Sequence, residues 1–403
     1  MIRKILIVTP RFPFDYKGAC EQDRAYGVVL LKKLGYEVEV ISMCYKSHLD
    51  MIKDAEHIHE VKIYPVLYRP LFEHKILYYL KRILIPLYWD GASYHYRDPE
   101  IKKTLGERLE KFRPDLVWFD YTYLWPLYNT VSDKSIPIIT RSVNYEPAHF
   151  YGKGSHGILR WIRYQIKKIG ERKALLSSNL LFAITPKEKL LYEDISITTP
   201  VVTLPLRRLC SLIGKNIDTK RNQKEGHIHI YFSGSNFTVH HMRIALNFVV
   251  NEINPLLQKT YPDIFRIHVI GNKLPGEFLQ KPIDGISFHG YVKDLDDFIA
   301  GMDIALSPSV SGEGMQQKVF EPIVRGIPTV TSERALVGYP FYNNIHVLTA
   351  RNNAESYVEA IGKLRNNEKR DQISKKAVQL STQLFSEDLI MEIIDKNIKS
   401  ICI

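Results

Sequence analysis

The chain lacks the features that would tie it to a membrane span, an oxidising compartment or a metal cage. No apolar run in its 403 residues approaches the roughly 20 that a membrane-crossing helix requires. Cysteine is scarce: Cys20, Cys44, Cys210 and Cys402 are scattered without metal-ligand spacing. They read as reduced thiols, so a cytoplasmic location is expected. The fourteen histidines contain no HxxxH or HExxH pattern, which argues against a helical zinc site. Met1–Pro10 reads as a strand rather than a secretory leader, since no small-residue cleavage site follows it. Zinc-ligand spacing and RNP-like aromatic motifs are both missing, and nucleic acid is not expected as a partner. No internal repeat is visible.

What the chain does have is length for two cores, the apolar fraction of a globular protein, and a net charge of +11. The positive excess is concentrated. Tyr68–Arg97 (YRPLFEHKILYYLKRILIPLYWDGASYHYR) and Lys153–Lys173 both interleave Lys and Arg with Leu, Ile, Tyr and Trp. Two readings fit each stretch. One is an ordinary helix with a core face and a charged outer face. The other is an interfacial surface for an anionic membrane, and two such stretches in the same half strengthen it.

Ile5–Thr9 is a short apolar run of the kind found in buried parallel strands. A helical pattern over Cys20–Leu34 and a strand at Glu37–Met43 complete a strand–helix–strand unit. Further strands are expected at Leu116–Phe119, Ile136–Thr140 and Asn179–Ala183. The rhythm stops over Val201–Asn222, which reads as a linker, with the first domain ending at about residue 205 and the second starting near 227. Strands resume at Ile228–Phe232, Arg266–Ile270, Gly285–His289, Ile304–Leu306 and Thr329–Thr331, and Glu355–Ile403 is helical. Both halves are therefore α/β with parallel sheets. Ligands of such sheets sit in loops at the strand C-terminal ends, here Pro10–Cys20, Asp120–Leu124 and Arg141–Tyr151.

Ser307–Pro340 (SPSVSGEGMQQKVFEPIVRGIPTVTSERALVGYP) is the most informative segment. A strand end leads into the small-residue run Ser309–Gly314, then a helical pattern over Gln316–Arg325, then Gly326 and a strand. A Gly-rich turn entering a helix N-terminus directs unpaired backbone N–H groups at an anion. Glu313 and Glu321 bracket the turn with seven residues between them. Lys318 and Glu321, three apart, share a helix face. A cation at the helix start and a carboxylate one turn on suit a diphosphate followed by a ribose, the shape of a nucleotide-sugar. Lys318 could equally be a solvated helix residue. Pro322 predicts a helix that starts late, near Lys318, or is kinked.

Glu-x7-Glu followed by Gly-Ile-Pro-Thr-Val and the later Gly338 resembles the donor site of GT-B glycosyltransferases, most closely retaining glycosyltransferase family 4 and its relatives. The resemblance implies two Rossmann-like domains facing a cleft, with a C-terminal helix from about residue 381 returning to the first. It implies sugar transfer from a nucleotide-diphosphate sugar, with retention and without a metal or other cofactor. Glu313 would bind a donor-sugar hydroxyl and act with Lys318 at the reacting centre. Glu321 would hold the ribose, and backbone amides near Gly314, Met315 and Gln316 the phosphates. Phe232-Ser-Gly-Ser235 and His268-Val-Ile-Gly271 match donor-site strand ends, so Ser235 and Gly271 join the set. Phe288-His-Gly-Tyr291-Val292 matches the base-reading turn, and Gly18 a loop that approaches the donor. Thr140–Glu146 (TRSVNYE) resembles an RxHNxE loop, which puts Arg141, Asn144 and Glu146 on the acceptor side. A glycan or lipid-linked acceptor at the inner face of a cell membrane fits this family.

Three departures stand out. The Arg/Lys pair common after the first strand of the second domain is missing, with Arg243 a weak substitute. Val143 occupies the histidine position of the loop, and Pro322 interrupts the helix. Asp294-Leu-Asp296 is a DxD pattern, read here as acids at a helix N-terminus rather than metal ligands. The alternatives are a nucleotide-sugar 2-epimerase of the same architecture and a degenerate domain acting as a binding partner.

Overall fold

The computed structural model describes residues 2–11, 14, 18–68, 75–147, 157–214, 226–309 and 315–401. The chain divides into two compact units, Met1–Arg208 with Asp388–Ile403, and Leu209–Glu387.

The first unit is built on a seven-stranded parallel sheet of order β3-β2-β1-β4-β5-β6-β7. Its strands are β1 (Lys4–Thr9), β2 (Glu37–Cys44), β3 (Lys62–Leu67), β4 (Leu116–Phe119), β5 (Ile138–Arg141), β6 (Leu180–Ala183) and β7 (Val201–Thr203). The inner strands β1, β4 and β6 are almost wholly apolar, and β5 (IITR) is buried throughout, as burial on both faces demands. Helices α1 (Ala19–Lys33), α2 (Leu49–His59), α3 (Lys75–Leu84), α4 (Pro99–Lys111), α5 (Ile158–Leu176) and α6 (Pro186–Glu193) connect them. Val201–Thr203, expected to open a linker, is instead the edge strand β7, paired with β6.

In the second unit the sheet order is β10-β9-β8-β11-β12-β13, again all parallel. The strands are β8 (Ile228–Asn236), β9 (Phe265–Asn272), β10 (Ile286–Gly290), β11 (Ile304–Ser307), β12 (Thr329–Ser332) and β13 (Leu348–Ala350). Helix α7 (His240–Phe248) continues through a π-type turn, Val249–Ile253, into Asn254–Thr260. Helices α8 (Leu295–Ala300), α9 (Gln317–Val324), α10 (Ala354–Lys363) and α11 (Asn367–Phe385) follow. One core lies between the sheet and the helices α7 and α10, around Phe232, Phe237, Ile253, Phe265 and Tyr357.

The final helix, α12 (Glu387–Ser400), belongs to the first unit for nearly all its length. Tyr36 donates a 2.8 Å hydrogen bond to Asp395 on it, and Ile390, Ile394 and Ile398 are buried at i, i+4 spacing.

Both sheet orders reverse once, between β1 and β4 in the first unit and between β8 and β11 in the second. Such a switch point opens a crevice at the strand C-terminal ends, where open α/β sheets take ligands.

Candidate functional site

In the second unit the switch point is bordered by the ends of β8 and β11. Gly234 and Gly271 lie opposite each other in register. A Cβ on Gly271 (φ +142°) would stand 1.9 Å from the Gly234 carbonyl oxygen, and one on Gly234 would strike Phe237 and Met242. Only glycine permits this approach, and Phe237 fills the space beneath it, fully buried.

From β11 the chain reaches α9 through residues 310–314, so Glu313 and Gly314 lie outside the described residues. Gln316 is the residue before α9, and its side-chain amide donates to Ser309 Oγ at 2.8 Å, tying the helix start to the strand end. The Gln316 side chain does not cap α9, so its first N–H groups lack that internal acceptor. The helix begins at Gln317, one residue later than expected, and runs through Pro322, whose missing N–H leaves the Lys318 carbonyl without an i+4 donor. Phe320 anchors the underside among Tyr339, Phe341 and Phe385, with ring centroids 5.0–6.3 Å away. Gly326 (φ +78°) ends the helix, and its carbonyl accepts from Ser374 Oγ at 2.6 Å.

Lys318 and Glu321 differ in how they are held. Arg325, on the next turn and nearly buried, donates to Glu321 Oε1 at 2.9 Å and also pairs with Asp296. The other Glu321 oxygen makes no hydrogen bond with a described residue. Lys318 is half-buried and forms no ion pair among the described residues, and burial lowers its pKa. A half-buried cation at a helix N-terminus, with no ion pair among the described residues, suits an anion. Met315 is buried beside it.

The remaining donor-side candidates sit at neighbouring strand ends. Ser235 lies in β8. Tyr291 follows β10 and is exposed, while Val292 packs on the cluster of Tyr231, Ile270 and Ile299. Asp294 caps α8 by accepting from Asp297 N at 3.0 Å, and Asp296 pairs with Arg325, so both acids of the DxD pattern have structural partners. Arg243 is bound by Glu277 at 2.6 Å.

In the first unit the corresponding loops gather a different set. Gly18 precedes α1, and a Cβ there would meet Glu21 Oε2 at 2.3 Å. Asn144 donates to Tyr121 Oη at 3.0 Å. Glu146 is buried and paired at 3.0 Å with Lys167, which also reaches Asp90 at 3.1 Å. Burial raises the Glu146 pKa, and the ammonium of Lys167 opposes the shift. One turn along α5, Glu171 accepts from Tyr192 (2.7 Å), Thr122 (2.9 Å) and Glu146 N (3.3 Å). Burial, then the charge of Glu146, pushes it up to about 8. Arg141 stands apart from this group. It is fully buried, donates to the carbonyls of Leu204 and Pro205, and lies 3.7 Å from Asp23.

Lys167, Asp90, Tyr121 and Glu171 escape a reading of the sequence. Glu171 leaves one trace, as the sole acid on a helix with six cations. A second overlooked group is a row of imidazoles across three strands: His229 Nδ1 to His268 Nε2, and His268 Nδ1 to His289 Nε2, each 2.9 Å.

Two all-parallel sheets with matched switch points define a GT-B α/β fold. Over its whole length the chain is similar to sucrose-phosphate synthase from Thermosynechococcus elongatus (TM-score 0.70, 13% identity, covering 99% of this chain and 98% of that one). It is also similar to a glycosyltransferase from Rickettsia africae (0.67, 16%, 100% and 99%) and to Anabaena HepE in complex with UDP (0.65, 13%, 99% and 100%). At these identities the likeness establishes the fold. Compared by sequence with curated proteins, the chain matches none. Residues 229–367 match the family Glycosyl transferases group 1. That segment lies inside the second unit, which therefore carries a glycosyl transferases group 1 domain.

Proposed function

We propose that the chain moves a sugar from a nucleotide-diphosphate sugar to a glycan, glycolipid or polysaccharide precursor, with retention and without a metal, at an anionic membrane face. The observation that carries this reading is Lys318, a half-buried cation with no ion-pair partner among the described residues, at the start of α9. In transfer, the bond from the anomeric carbon to the diphosphate oxygen breaks and its electron pair goes to the phosphate. The acceptor hydroxyl oxygen forms the new bond, and its proton passes to a phosphate oxygen of the leaving diphosphate. Lys318 and the α9 N–H groups stabilise that developing charge, in the place a metal would otherwise take. Arg325 holds Glu321 so that its second oxygen accepts from the ribose hydroxyls. Glu313 receives the donor sugar. The UDP held by HepE supports a nucleoside diphosphate as the leaving group. Asn144 and Glu146 serve the acceptor side, while Arg141 braces the loop that carries them.

One observation favours a second reading. Arg243, the available substitute for the missing diphosphate-gripping pair, is occupied by Glu277, as a degenerate binding domain would allow. Saturation-transfer NMR with UDP-, GDP-, ADP- and CMP-sugars decides between them. Binding of one sugar nucleotide, lost in Glu321→Ala, supports the enzyme. No binding to folded protein leaves the degenerate domain.

A further inference from the structure

Helix α3 turns its apolar face to solvent. Ile76, Tyr79, Leu80, Ile83 and Leu84 are between 49% and 79% exposed, and their spacing of 0, 3, 4, 7 and 8 puts them on a single face. This inverts the usual amphipathic helix, whose apolar stripe faces the core. Ile85 continues the exposed stripe beyond the helix. Helix α5 adds Ile158, Leu159 and Trp161, all exposed at its first turn. Both helices pack on the turn Pro86–Trp89, and the Lys167–Asp90 pair ties α5 to the residue after that turn. The two exposed faces therefore belong to one part of the first unit.

Charge decides what covers them. Helix α3 contains no acidic residue, and the single acid of α5, Glu171, is buried. Arg163, Lys168, Arg172 and Lys173 are exposed along α5, and Arg97 and Lys173 lie over the ring of Trp125 at 5.0 and 4.5 Å. A second copy of the chain would bring cation against cation, which opposes pairing. An anionic bilayer matches both features, accepting apolar side chains at the acyl boundary and cations at the headgroups. Among the described residues no helix is long and apolar enough to cross a membrane, so the contact lies in the interface plane.

We propose that α3 and the outer face of α5 form a docking surface for anionic lipid. Ile76, Tyr79, Leu80, Ile83 and Leu84 enter the headgroup–acyl boundary, and Trp161 anchors the start of α5 at the interface. The inference deepens the membrane-face part of the proposed function and is independent of its donor site, which lies in the second unit.

The test is flotation of the full chain with phosphatidylcholine vesicles, with and without phosphatidylglycerol. The wild type should float with the anionic vesicles at low salt and detach as salt rises. Ile83→Asp/Leu84→Asp should partition at least about tenfold less, and Arg163→Glu/Lys168→Glu should lose the preference for phosphatidylglycerol. Wild-type protein that fails to float at low salt overturns the proposal, as do variants that float like the wild type. A wild-type dimer that Ile83→Asp/Leu84→Asp converts to monomer, with no flotation, reassigns the face to self-association and equally overturns it. Sugar-nucleotide binding, read by NMR on the same samples, separates failure of docking from failure of the donor site.

Discussion

Gly27 of α1 faces the guanidinium of Arg207 so closely that a Cβ would lie 2.1 Å from Nη1. Arg207 is buried against the helix, donating to Asp23 one turn earlier (2.8 Å) and to Asp120 at the end of β4 (3.0 Å). Replacing a mid-helix glycine with alanine ordinarily stabilises by up to about 1 kcal/mol. Here the guanidinium is pinned by two carboxylates and cannot withdraw. Gly27→Ala should destabilise by about 2 kcal/mol, read from the urea midpoint, and an unchanged or raised midpoint would show that Arg207 moves freely.

Asp23→Asn removes the carboxylate that stands between Arg207 and Arg141. Burial works against ionising Asp23, but Arg207 and then Arg141 outweigh it and lower its pKa. Breaking a buried pair of this kind costs about 3–5 kcal/mol. The loss should appear in the urea midpoint at neutral pH and shrink in acid, where the native carboxylate is itself protonated.

Glu171 should make the first unit less stable as pH rises. Its folded pKa of about 8 lies above the ordinary 4.5, so between those values the folded state holds a proton that the unfolded chain has lost. Glu188, raised to about 7 by burial, adds a slope of the same sign. Glu171→Gln keeps the shape and one acceptor oxygen without titrating, and should flatten the fall in Tm without abolishing it. A slope identical to wild type would place the titration elsewhere.

The imidazole row predicts the opposite slope in the second unit. Burial, then the nearby charge of His229 and His289, lowers His268 to about 4 from 6.5. Stability from this group is complete above pH 6.5 and declines as pH falls toward 4, where the unfolded chain takes up the proton first. NMR titration of the His268 ring should show a midpoint close to the lower value. A midpoint near 6.5 would mean the row is open to water.

Lys318→Ala should weaken sugar-nucleotide binding by roughly tenfold or more, the value of one charge-assisted contact, with the urea midpoint little changed because the ammonium has no ion-pair partner among the described residues. Calorimetry with the nucleotide found by NMR reads both the affinity and the fold. Unaltered affinity would remove Lys318 from the donor site.

Sequence patterning located every inner strand and one edge strand, β10. β1, β4, β6 and β11 are dominated by buried apolar side chains because both faces are covered. Those it missed are edges. β3 is KIYPVL, with Lys62, Pro65 and Leu67 exposed, while β7 and β13 are three residues long. An edge strand covers less of itself and tolerates proline, so its pattern resembles a loop.

Local order was open to the sequence because it depends on neighbours within a few residues. The α/β alternation, the late start of α9 before Pro322 and the shared face of Lys318 and Glu321 all follow from spacing along the chain. Partners far apart in sequence were decided only by the tertiary structure. Arg141, in a loop that reads as acceptor-facing, is drawn inside by the carbonyls of Leu204 and Pro205, more than sixty residues away. Glu321 is aligned by Arg325, four residues on, but Arg325 is itself held by Asp296 on another helix. The apolar stripe of α3 could be counted from its letters, while its direction, toward solvent rather than core, could not. Periodicity states which side chains share a face, and only the packing of the whole unit determines which way that face looks.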